Sequence, residues 1–117
     1  MGMDHLDHEN LDVYRCSLEF LALVFHLLVR LPRGEREIRD QLKRAAMSIP
    51  LNIAEGAGKP TTADRARFHS IARGSAMECS ALLDVCRIAG MVPAEDTDRG
   101  KALLLRIVAM LTKMCRT

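Results

Sequence analysis

The chain has no tryptophan, one tyrosine and three phenylalanines. Tyr14, Phe20, Phe25 and Phe68 cannot fill a core alone, so Leu, Ile, Val, Ala and Met must do most of the packing. That balance excludes a β-sandwich, which draws on aromatic and β-branched residues, and favours helices. A dominant charge is also missing. Seventeen Lys and Arg against fifteen Asp and Glu leave a net +2, so overall charge does not demand nucleic acid. Long apolar runs are lacking too. Residues 18–31 are interrupted by Glu19, His26 and Arg30 and are too short and too charged to span a bilayer, so no membrane partner is expected. The N-terminus is acidic rather than basic and then apolar, which is not a secretory signal. None of the four cysteines forms a CxxC pair. Cys79 and Cys86 are seven residues apart, about 10 Å along a helix, beyond disulfide reach. Reduced core thiols in a cytoplasmic protein are the expectation.

Metal and nucleotide signatures are lacking as well. There is no ExxH for a carboxylate-bridged metal pair in a bundle. His5 and His8 lie three apart among Asp4, Asp7 and Glu9, but a chain terminus makes a poor cage. Gly56-Ala57-Gly58-Lys59 has neither a preceding strand nor the GxxxxGK[ST] spacing, and reads as a helix stop. No metal and no cofactor are expected.

What is present is helical periodicity, four times over, in a length that suits one domain. Residues 1–9 read as a flexible acidic tail and residues 10–117 as one bundle domain. Helix 1 is expected over residues 10–31. Leu11, Tyr14, Leu18, Leu21, Phe25 and Leu28 form a three-four seam for the core. A second stripe, Val13, Phe20, Val24, Leu27 and Leu31, exceeds what a small bundle needs and reads as an oligomer interface. On that reading Phe20→Glu should dissociate the assembly. Helix 2, over residues 35–55, carries Ile38, Leu42, Ala45, Ile49 and Ile53 inward, with Pro50 inside the pattern. A proline there removes a donor and crowds the preceding turn, at about 3 kcal/mol. Helix 3 is expected over residues 63–89, capped by Thr61 or Thr62. Its middle is small: Ala72, Gly74, Ser75 and Ala76. Helix 4, over residues 94–115, points Leu104, Ile107, Val108 and Leu111 inward. Short connections predict an all-α, antiparallel up-down-up-down four-helix bundle. That course sets the acidic start of helix 1 beside the basic end of helix 4, where their charges would partly neutralise.

Several segments together carry a resemblance. They are Leu31-Pro32, QLKRAAMSIP at residues 41–50, NIAEG at 52–56, Asp64 with Arg67-Phe68, and IARGSAME at 71–78. They span most of residues 14–83. With them the chain resembles the 23S rRNA-intervening-sequence proteins, and is similar to the accessory variability proteins of diversity-generating retroelements. The resemblance implies a cytosolic bacterial four-helix bundle that assembles with itself as a ring-like homopentamer. It implies no catalytic residues. The retroelement relatives present basic outer surfaces to nucleic acid and to a reverse transcriptase.

The residues themselves suggest three groups of candidates. Arg36, Arg39 and Lys43 form one basic row, and Arg99, Arg106 and Lys113 another at heptad spacing. Both are candidate contacts for nucleic acid or a nucleic-acid enzyme, against a plain reading as solvated faces. Arg44, Ser48, Asn52, Glu55, Arg73, Ser75 and Glu78 are expected to form a structural polar network between helices 2 and 3. The leading expectation is a non-catalytic, oligomeric interaction protein. The alternatives are a protein-only scaffold, or an enzyme with a small-molecule pocket at a subunit junction using His69, Glu78 or Cys79.

Overall fold

The computed structural model describes residues 6–116, and all regular structure among them is helical. Four α-helices follow one another: α1 (Asp12–Arg30), α2 (Arg36–Ala57), α3 (Thr62–Ile88) and α4 (Ala94–Met114). Each helix packs on its chain neighbours, and α4 closes on α1. The diagonal pairs, α1 with α3 and α2 with α4, are not packed together, so the helices sit at the corners of a square. A single 3-10 turn, Asp7–Asn10, precedes α1 and rests against α2. The expected tail is therefore folded over its last residues, while His5 lies outside the described residues. His8 sets its ring edge-on to Tyr14, centroids 4.7 Å apart.

The helix ends have local causes. Thr61 Oγ1 accepts from the Asp64 amide at 3.2 Å and caps α3. Gly90, at φ +72°, ends the same helix. Its amide donates to the Arg87 carbonyl and the Met91 amide reaches back to the Cys86 carbonyl, a Schellman closure that glycine makes without strain. α1 has no side-chain cap at its start, where Leu11 holds the cap position. Its C-terminal end is sealed from another helix. Arg39 of α2 donates through Nη1 to the carbonyls of Leu28 and Leu31, at 2.8 and 3.2 Å. Pro50 does not interrupt α2. Its buried ring packs among core residues, which offsets the missing backbone bond.

The core reverses one expectation. Val13, Phe20, Val24, Leu27 and Leu31, read as an oligomer interface, are all buried within the single chain. Leu18 and Phe25, read as core, are about two-fifths exposed, and Val29 stands 85% exposed beside them. The two stripes on α1 are one residue apart in phase, about 100° of rotation, and both have three-four spacing. Which one faces inward is decided by where α2 and α4 approach. Elsewhere the expected faces hold. Leu42, Ala45, Ile49 and Ile53 are buried on α2, and Leu104, Ile107 and Leu111 on α4. Ala72 and Ala76 are fully covered, so small residues on α3 let α2 approach closely.

Candidate functional site

Arg36, Arg39 and Lys43 do not form one continuous exposed row. Arg39 is half-buried and committed to the end of α1, which separates exposed Arg36 from exposed Lys43. The second row lies wholly at the surface. Arg99, Arg106 and Lys113 are all exposed on α4. At heptad spacing they follow one another about 10 Å apart along one helix face. None makes an ion pair among the described residues, where the pairs are Arg30–Asp96, Lys59–Glu55, Arg87–Asp98 and Lys101–Asp84. The expected mutual neutralisation of the start of α1 and the end of α4 is thus not made by ion pairs among these residues. Lys101, beside the row and not singled out from the sequence, is held by Asp84 at 2.7 Å and Ser80 at 2.8 Å. The three cations of the row keep their charges toward solvent.

The polar network is smaller than expected. Ser48 and Ser75 hydroxyls meet at 2.8 Å across α2 and α3. Asn52 donates to the Ser48 carbonyl and hydroxyl at 2.8 and 2.9 Å. Arg73 turns instead toward α4, donating from Nε to Thr112 Oγ1 at 2.9 Å, and Thr112 donates to the Val108 carbonyl. Arg44 and Glu78 are exposed and make no side-chain hydrogen bond among the described residues. Glu55 is exposed and approaches Lys59 only at 3.9 Å. These three sit on the outer side of their helices, where water satisfies them more cheaply than a buried partner could. Thr112 could have been suspected, since a threonine inside a helix often bonds the carbonyl four residues back. Nothing in the sequence pointed Arg73 at it.

The groups nominated for an enzyme do not converge. His69 and Cys79 are ten residues apart on α3, about 15 Å, and Glu78 faces solvent. Burial pushes the Cys79 thiol up to about 12, with Glu78 adding to the effect, so the thiolate nucleophile is suppressed. His69 is buried within the chain. It is 5% exposed, and neither ring nitrogen completes a hydrogen bond among the described residues. It packs where a side chain on Gly56 would strike it, 3.0 Å from Nε2. Burial lowers its pKa below the usual histidine value; the Met114 carbonyl opposes this without reaching hydrogen-bond geometry, and Arg65 adds to the lowering.

Shallow apolar grooves flank the bundle. One of about 340 Å³ lies between α1 and α2, lined by Phe25, Leu28 and Val29 with Arg39, Asp40 and Lys43 at its edge. Another of about 410 Å³ continues along α2 past Met47 and Leu51. A third, of about 300 Å³, lies between α3 and α4, where Met77, Leu104, Leu105 and Val108 meet Ser80 and Lys101. Among the described residues no cluster of His, Cys, Asp and Glu could hold a metal ion, and no helix is long and apolar enough to cross a membrane.

Four helices closed into a bundle around a tight α2–α3 junction place the chain among small all-helical proteins. Within that class, the model of the 23S rRNA-intervening sequence proteins matches residues 9–113, and the chain belongs to this family. No curated protein matches it. Among solved structures it is similar to a protein of unknown function from the S23 ribosomal protein family of Bacteroides thetaiotaomicron. The identity is 24% and the TM-score 0.81, over 90% of this chain and 99% of the other. That likeness concerns the fold.

Proposed function

We propose that the protein is a non-catalytic, oligomeric interaction protein that offers the outer face of α4 to nucleic acid or to an enzyme that handles it. The observation that carries this reading is the row Arg99, Arg106 and Lys113, exposed and free of ion pairs among the described residues. Evenly spaced cations suit a phosphate backbone and carry no base readout, so binding would be indifferent to sequence. One chain supplies only three such charges. Repetition of the row in an assembly would add weak contacts into a useful affinity.

Assembly is supported by the exposed apolar grooves. Connections of four or five residues between long helices fit an antiparallel course. With the helices at the corners of a square, the α1–α2 groove and the α3–α4 groove lie on opposite sides. Two unlike patches on opposite sides favour head-to-tail contacts over two-fold dimers, and these form a ring where the rotation between copies closes. The number five comes from the family resemblance. A protein-only scaffold would use the same grooves and leave the α4 row idle.

The test is a mobility-shift assay with single- and double-stranded probes across a salt series. Binding should weaken with salt by about 0.9 log units in affinity per log unit of salt for each phosphate contacted on duplex. The triple change Arg99→Glu, Arg106→Glu and Lys113→Glu should abolish the shift, while Arg36→Glu with Lys43→Glu should leave most of it. An intact oligomer with no shift at low salt would leave the scaffold reading standing.

A further inference from the structure

His69 has no part in the proposed interaction surface, yet its placement is unusual. Buried polar groups are nearly always hydrogen-bonded, and one left without a partner is destabilising. Here an imidazole is almost fully covered with both nitrogens unpaired. It sits where three helices meet. Gly56 of α2 lies against Nε2 and Cδ2, and the Met114 carbonyl stands at the last turn of α4. A protonated ring in this position would need an anion. The charged and titratable groups on the elements that meet here are Arg65 and Arg73 on α3, Glu55 on α2 and Lys59 just past its end, Lys113 on α4 with Cys115 and Arg116 after it, and Asp7 and His8 of the 3-10 turn, which share a groove with Ala57 and Gly58. The acids among them, Glu55 and Asp7, are both exposed, Glu55 toward Lys59.

We propose that His69 is a proton-driven release for the junction of α2, α3 and the end of α4. The neutral ring fits the packed seam. The imidazolium does not, and takes up its proton by leaving the seam for water, which frees the last turn of α4 and the α2–α3 connection. The direction follows from linkage. An unfolded histidine titrates near pH 6.5, and the folded ring holds its proton less tightly. Above about pH 6.5 the ring is neutral in both forms and the junction keeps its full stability. As the pH falls further, the opened form binds a proton that the closed form refuses. Opening becomes tenfold more favourable for each pKa unit between the two, until the folded ring titrates as well.

Two measurements on the full chain decide it. Histidine-selective NMR should show the His69 ring titrating below 6.5. Amide protection factors at residues 56–59 and 111–115 should fall as the pH drops from 7.5 to 5, while those around Leu83 hold. In His69→Leu and in His69→Gln the same amides should keep their protection across that range. The glutamine variant, which keeps polarity without a titrating proton, serves even if leucine perturbs the packing. An equal pH dependence in the wild type and either variant would overturn the proposal. So would a wild-type ring that titrates at or above 6.5.

Discussion

Ser48 and Glu55 lie about two turns apart along the same side of α2, and their surroundings give them opposite weights. Ser48 shares its hydroxyl between Ser75 on α3 and Asn52 on its own helix. Removing it strands two polar groups in a half-buried seam. Ser48→Ala should destabilise the fold by about 1–2 kcal/mol, read from denaturant midpoints. Glu55 has only a 3.9 Å contact with Lys59 at the surface. Glu55→Ala should change stability by less than about 0.5 kcal/mol, contrary to what its place in the NIAEG motif suggests. The sequence showed that polar residues among apolar ones needed partners near α3. It did not show which of them turned outward, because a residue at the edge of a helical stripe can serve either face.

At the scale of the helix, α1 is the instructive element. Its two apolar stripes were both visible in the sequence; the one read as an interface is buried, and the one read as core is buried at Leu28, packs on the core at Leu11, Tyr14 and Leu21, and opens at Leu18 and Phe25. Phe20→Glu would place a charge in a fully covered site, so it should lower the melting temperature steeply or prevent folding. Phe25→Glu falls on the exposed stripe. It should keep the helical circular dichroism spectrum while light scattering reports a smaller mass. A Phe25→Glu protein that keeps the wild-type mass would remove this stripe from any interface. The basic row on α2 failed for a related reason. Heptad spacing places three cations in line, but Arg39 has α1's open carbonyls within reach, and a charged donor satisfies buried carbonyls well.

Across the whole molecule, the number, order and approximate limits of the helices were legible, because each stop carries a glycine or proline and each helix an uninterrupted period. The inward faces of α2 and α4 were legible for the same reason. His69 was not, since nothing in the run around it marks a polar residue as buried. The thiols offer a global readout. Cys16, Cys79 and Cys86 are buried in the described structure and Cys115 is partly open, and burial raises all four, Cys79 to about 12. At pH 8 a thiol reagent should label Cys115 first. Cys79 should follow only at the rate of opening of the whole bundle, and mass spectrometry of quenched samples can count the labels.

The bond from Arg39 to the end of α1 also bears on how the chain first takes shape. It joins residues only eight and eleven positions apart, so the loop it closes is short. Segments of that length meet within about 10–100 ns, far sooner than remote contacts form. The corner between α1 and α2 can therefore be set while the rest is still searching. Once set, it fixes which side of α1 turns toward α2, and hence which of its two apolar stripes later contacts bury.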